Sequence, residues 1–270
     1  MLSFKEFLSE AAVGNAPTFQ GLTLENAVRL VKDDCSIYKK YGICFYRGET
    51  TIAPSLRETG YAIVDPSKTE RVSQNTSNHY TVLFDNHPDM KDYPKRSRSF
   101  IASTSKSTAE GFAENNHGIY TKDNVYALIP LDGVKIGVIN RNDMWKTLIK
   151  LFGAKSDVYG FNMAFEEELG IKPTMEGFMK FDKLLKERNP AAVKKVVVMY
   201  KQTTSKPPDE QVFDNFMPMI WDAFSPAKTG FQLFTANNYQ PPAKNSEVWI
   251  GGKCIAILYN HLKEFQKANV

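Results

Sequence analysis

Three short polar motifs stand at the ends of β-rich runs: Tyr46-Arg47-Gly48, Ser103-Thr104-Ser105 and, late in the chain, Ser246-Glu247-Val248-Trp249-Ile250-Gly251-Gly252. Each carries residue types able to do chemistry. A carboxylate such as Glu247 can place negative charge beside a developing cation, the electrostatics that glycosidases draw from their carboxylates. An arginine such as Arg47 offers a fixed fork of donors for phosphate or ribose oxygens, a task that lysine performs poorly. Gly48, without a side chain, lets backbone approach a ligand closely. The hydroxyls of Ser103, Thr104 and Ser105 can orient a carboxylate or cap a helix. Taken singly, each motif also has a plain reading: a surface arginine at a strand end, a helix cap, an exposed strand glutamate. Cys35, Cys44 and Cys254 are scattered, and His79, His87, His117 and His261 show neither metal-ligand spacing nor a nucleophile partner, so no metal site is expected.

The elements that must carry these motifs follow from local pattern. Residues 4–12 place Phe4, Phe7, Leu8, Ala11 and Ala12 on one helical stripe, and 14–21, with Pro17, reads as a linker. Thr23 caps a helix that runs to about Tyr41, and 43–46 is a strand. Loops and short helices are expected over 54–94. A second strand covers 99–104, followed by a helix over 108–114 capped at Ser107 or Thr108. Two β-type runs, 125–130 and 134–139, flank the turn signal Leu131-Asp132-Gly133 and predict a hairpin. Residues 141–190 read as helical, 194–202 contains the strongest strand signal, Val196-Val197-Val198-Met199-Tyr200, and 209–224 is a helix. Strands over 247–250 and 253–258 flank Gly251-Gly252, and a helix closes the chain.

In this order the motifs resemble the Arg-Ser-Glu class of mono-ADP-ribosyltransferases, the toxin and ecto-enzyme family. That family has an aromatic-Arg-Gly strand, a Ser-Thr-Ser strand before a helix with a Gly-Phe-Ala-like pattern, here Gly111-Phe112-Ala113, and a Glu-Val-aliphatic strand. The resemblance covers about half the chain. It implies an α+β fold of two small, mostly antiparallel sheets packed nearly at right angles around an NAD+ cleft, with helices outside. The core would come from 22–140 and 230–260, within a single domain over 22–270 that carries an insertion at about 141–230. It also implies NAD+ as substrate. Glu247, Ser103 and Arg47 would be catalytic; Arg47, Gly48, Ser103, Thr104, Ser105 and Phe112 would hold the dinucleotide. Asn245, Tyr239 and Phe234 would lie on the acceptor side, and ADP-ribose would pass to an unknown host protein or nucleic acid.

Two departures from the family pattern stand out. Asn245, two residues before Glu247 and so on its face of a strand, replaces the glutamate of arginine-modifying members and the glutamine of several others. An amide takes no proton from an acceptor, which opens NAD+ hydrolysis or a different acceptor. The roughly 140 positions between Ser103 and Glu247 exceed what a minimal transferase needs, and Glu166, Glu167 and Glu168 in that interval are rival carboxylates. The N-terminal stripe resembles the leader of internal head proteins of large tailed phages, with Leu8-Ser9-Glu10 before Ala11 as the cleavage motif; an ordinary N-terminal helix is the alternative. The leader reading implies packaging in the phage head and action in the host cytoplasm.

Composition sets the outer bounds. The 270 residues are 42% hydrophobic and 12% aromatic with a net charge of +4, a globular balance too weakly basic to argue for nucleic acid by itself. The longest apolar runs fall far short of the roughly 18 residues that span a bilayer, and a soluble protein is expected. Lys95, Arg96 and Arg98 precede the Ser103 strand and suit a phosphate. Two other readings compete with the transferase: a non-catalytic head or host-inhibitor protein on a transferase-like scaffold, and a nucleic-acid binder resting on the basic stretches 91–106 and 194–206.

Overall fold

The runs richest in Val, Ile and Ala form strands that are covered on both sides. All six residues of Val125–Pro130, all four of Glu247–Ile250 and all five of Cys254–Leu258 are buried. A computed structural model describes residues 17–71, 78–113, 124–139, 169–172, 174–204, 207–240 and 245–268, with side chains over 199–204 left aside. In chain order the elements are β1 (Phe19–Gly21), α1 (Leu24–Asp34), α2 (Ser36–Tyr41), β2 (Phe45–Gly48), α3 (Pro54–Thr59), β3 (Tyr61–Val64), α4 (Asn78–Asn86), β4 (Phe100–Ser103), α5 (Lys106–Ala113), β5 (Val125–Pro130), β6 (Lys135–Ile139), α6 (Met175–Lys186), α7 (Pro190–Thr204), α8 (Glu210–Asp214), α9 (Phe216–Phe224), α10 (Pro226–Thr229), β7 (Phe231–Thr235), β8 (Glu247–Ile250), β9 (Cys254–Leu258) and α11 (Leu262–Ala268). They fall into two compact units, one of Asn15–Arg71, Tyr93–Asp143 and Phe231–Val270, the other of Met1–Gly14, Val72–Asp92 and Met144–Gly230.

Among the described residues the first unit is built on one sheet of nine strands in the order β1-β3-β9-β5-β2-β4-β8-β6-β7, every pairing antiparallel. The two small sheets around a cleft expected from the family resemblance are not present. The pair Tyr46↔Ser103 links β2 to β4 and makes the strands continuous in one sheet. On one face Phe45, Phe100, Tyr126, Leu128, Val248 and Ile250 pack with Leu56 of α3 and with Tyr239. On the other, Ala127, Ile129, Ile255 and Ile257 pack with Ala27 and Val31 of α1 and Leu262 and Phe265 of α11. Those alternations of neighbouring residues between faces are the period-2 signature of a strand.

Two expected pairings are also absent. β5 lies fourth in the sheet and β6 eighth, so 125–130 and 134–139 form no hairpin. The intervening turn is instead tied to the junction of α1 and α2: the Asp132 carboxylate accepts from the Ser36 backbone N–H at 2.8 Å and from the Ser36 hydroxyl, and the Asp132 N–H donates to Asp34 O at 2.7 Å. Likewise β8 is seventh and β9 third, so Gly251-Gly252 connects distant strands. Part of the expected linker, Phe19–Gly21, is an edge strand on β3, and β3 itself lies where loops and short helices were expected.

The second unit is helical in its described residues. From α6, Phe178, Phe181 and Leu185 are buried at helical spacing, and Phe84 of α4 meets Phe224 of α9 at 4.9 Å between ring centroids. Asn215 gives α9 no side-chain cap, and buried Asp182 of α6 supplies one, accepting from the Met217 N–H at 3.2 Å. The Val-rich run 196–200 lies inside α7 and is no strand. Asn189 caps that helix by accepting from Ala191 N at 3.1 Å, Pro190 opens it, and Ala192 and Val196 are buried four residues apart while Val198 is 45% exposed. The helical period of burial outweighs the β preference of the valines. Residues 4–12 and 141–168, the latter including the rival carboxylates 166–168, lie outside the described residues. Among the described residues no helix is long and apolar enough to cross a membrane.

Candidate functional site

Ser103 and Glu247 are direct cross-strand partners at the meeting of β4 and β8. Side chains paired in this way share a face, with Cβ atoms about 5 Å apart. Both are buried, at 3% and 6% exposure. The ladder continues one step further, because Thr104 N–H donates to Ser246 O at 3.0 Å and Ser246 N–H donates to Thr104 Oγ1 at 2.9 Å. The Ser103 hydroxyl accepts from the Ser105 N–H at 3.0 Å, and the Ser105 hydroxyl lies 3.5 Å from the Thr108 N–H and 2.8 Å from the Ser107 hydroxyl. The Ser-Thr-Ser run is therefore the turn from β4 into α5, and Ser105 stands at the cap two or three positions earlier than the sequence pattern placed it.

Trp249, two residues after Glu247 and on the same face, donates its indole N–H to Glu247 Oε1 at 2.6 Å. The Arg96 guanidinium lies 5.7 Å from the centre of the Trp249 ring, and Phe231 meets that ring edge-on at 4.6 Å. A buried carboxylate, a hydroxyl opposite it and a guanidinium nearby thus share one face of the sheet.

Arg47 is not among them. It pairs with Tyr126 across β2 and β5, while its neighbour Tyr46 pairs with Ser103, so Arg47 points to the face opposite Ser103 and Glu247. There its Nε donates to Glu49 Oε1 at 2.6 Å, its Nη1 donates to Ile101 O at 2.6 Å, and its guanidinium lies 5.4 Å from the centre of the Phe100 ring. Tyr126 donates its hydroxyl to the same Glu49 oxygen at 3.0 Å. Burial opposes the charge of Arg47, but Glu49 and Tyr126 outweigh it and hold the guanidinium protonated beyond its ordinary range. Burial, reinforced by Glu49, also pushes the Tyr126 hydroxyl well above its usual value.

The remaining predicted residues are dispersed. The space a side chain at Gly48 would fill belongs to α5: an added Cβ would lie 1.9 Å from Ala109 O and 2.9 Å from Ala113 N. Phe112 is 52% exposed on α5. Asn245 has φ +67° and precedes β8, so it does not continue the strand face of Glu247 as the i, i+2 rule anticipated. Tyr239 is buried between Phe45 and Phe234, on the face away from Glu247, and burial raises its hydroxyl pKa. Phe234 lies in strand β7, opposite Ile136. Sequence reasoning missed Glu49, Tyr126 and Trp249. The signal for Trp249 was present, since a donor at i+2 on a strand shares the carboxylate's face. Among the described residues no group of three His, Cys, Asp or Glu side chains could hold a metal ion. Compared with models of known families, with curated proteins and with solved structures, the chain matches none.

Proposed function

We propose that the Ser103–Glu247 pair is the reaction centre of an NAD+-dependent mono-ADP-ribosyltransferase or NAD+ glycohydrolase. The observation that carries this reading is the direct cross-strand pairing of Ser103 with the buried Glu247 carboxylate, two residues separated by more than half of the chain. As the nicotinamide–ribose bond breaks, the nicotinamide leaves with the bonding electrons and the ribosyl carbon becomes cationic. Glu247 sets negative charge beside that carbon, and a low-dielectric surrounding strengthens the effect. Water or an acceptor nucleophile then bonds to the ribosyl carbon and gives up its proton to the surrounding water. Asn245 cannot take that proton, which favours water or an acceptor that is nucleophilic on its own. Arg96, rather than Arg47, is the guanidinium on the reacting face, and Arg47 acts through the strands it ties together. The acceptor is a host macromolecule in this reading, reached after packaging in a phage head if Leu8-Ser9-Glu10 is a cleavage motif.

A second reading, a non-catalytic binding protein, is favoured by one observation: Arg47 is committed to Glu49 and Ile101 and faces away from Glu247. The two are separated by incubating labelled NAD+ with wild type and Glu247→Ala, with and without bacterial lysate. Glu247-dependent nicotinamide release, with or without label transfer, supports the enzyme. No release from folded wild type in either condition supports the binding protein.

A further inference from the structure

The indole of Trp249 is held on several sides beside Glu247. Its ring is fully buried, and Phe231 packs edge-on against it at 4.6 Å. Tyr93 stacks on Phe231 at 5.1 Å and donates its hydroxyl to Phe231 O at 3.1 Å. Gly137 is the cross-strand partner of Trp249 on β6, and a Cβ there would lie 2.3 Å from the Phe231 ring. The glycine therefore makes the room that lets Phe231 reach the indole. Arg96 lies across the indole ring, the geometry of a cation–π contact.

We infer that Trp249 is a positioning residue for the proposed reaction: its indole N–H, locked by Phe231, Tyr93 and Arg96, fixes the plane of the Glu247 carboxylate. The inference rests on the transferase or hydrolase reading for its catalytic part and on the 2.6 Å bond for its structural part. An indole N–H only donates and does not titrate in the working range, so it favours the ionised carboxylate at every such pH. Holding one oxygen also stops rotation about the last side-chain torsion. A transition-state stabiliser gains from such preorganisation because no reorientation is needed as charge develops. The Phe231, Trp249 and Arg96 stack thus does for Glu247 what outer-shell partners do for metal ligands.

The test has two arms, both on the full chain. In the first, the indole N–H resonance of Trp249, assigned by its loss in Trp249→Phe or in a second variant, Trp249→Tyr, is followed in Glu247→Gln. An upfield shift is expected as a charge-assisted bond becomes a neutral one, and an unmoved resonance in folded Glu247→Gln overturns the inference. In the second, nicotinamide release is compared in wild type and Trp249→Phe. A fall in kcat of about 10- to 100-fold with KM nearly unchanged is expected for lost positioning. Equal kcat in the folded variant overturns the inference. If wild type releases no nicotinamide, the transferase reading and the catalytic role fall together, while the resonance still decides whether Trp249 holds Glu247.

Discussion

Replacing Glu49 by leucine separates a structural Arg47 from a ligand-binding one. The Arg47 and Glu49 side chains keep 19% and 27% of their exposure. Breaking a fully buried ion pair by removing one partner costs about 3–5 kcal/mol, and the residual exposure here reduces that to about 2–3 kcal/mol. Tyr126, fully buried, loses the acceptor of its hydroxyl in the same step, which adds about 1 kcal/mol. Glu49→Leu is therefore expected to destabilise the protein by about 3 kcal/mol, a fall in Tm of about 6–12 °C for a chain of this size. The combined variant Arg47→Met, Glu49→Leu, Tyr126→Phe is the sharper test. With no buried charge or orphaned hydroxyl left, most of the lost stability returns, because apolar replacement of a buried pair is often neutral. Thermal unfolding followed by circular dichroism measures both. A Tm for Glu49→Leu within about 2 °C of wild type, or a triple variant no more stable than the single, refutes the argument that this network supports the sheet.

Further consequences follow from particular contacts. Gly48→Ala drives a methyl into the backbone of α5 at Ala109, and a loss of about 1–3 kcal/mol is expected in chemical denaturation; unchanged stability contradicts the packing of α5 on β2. Helical burial in α7 predicts that Val198→Lys is tolerated while Val196→Lys costs several kcal/mol; equal effects of the two, expected if both shared a strand face, contradict the helix. Burial, with Asp132 and Asp34, pushes the Cys35 thiol up to about 12, and burial also raises Cys44 and Cys254. A thiol reagent at pH 8 should leave all three native cysteines unmodified and label them in denaturant. The same shift has a sign for stability: the native state keeps the Cys35 proton that the unfolded chain releases above its ordinary 9.0, so this contribution is present below that pH and is lost as pH rises toward about 12. Rapid labelling of the native protein at pH 8 contradicts it.

Local chemistry was legible in the sequence and pairing was not. The Thr23 cap shows in the structure with Thr23 Oγ1 accepting from Asn26 N at 3.3 Å, and the strands over 100–103, 125–130, 247–250 and 254–258 follow their apolar runs. The juxtaposition of Ser103 with Glu247 was also anticipated, through the order of motifs. What failed was long-range. A turn signal at Leu131-Asp132-Gly133 implies a hairpin only if nothing competes for the turn, and Ser36 and Asp34 compete for Asp132. A single pair, Tyr46↔Ser103, decides whether the strands form one sheet, and no local pattern encodes it. The same pairing sets Tyr46 on the face of Ser103 and Arg47 on the opposite one. The Val196–Tyr200 run misled because β-branched residues also fill a helix face when tertiary burial recurs every four positions.

The most direct measurement is nicotinamide release from NAD+ by wild type and Glu247→Gln, with matched near-ultraviolet circular dichroism to show that both are folded. Glu247→Gln keeps the side-chain shape and removes the charge. Release by wild type that falls at least about 100-fold in the variant is expected if this carboxylate stabilises the ribosyl cation. Equal release by the two proteins, or none from folded wild type, contradicts the assignment of Glu247 as the reacting carboxylate.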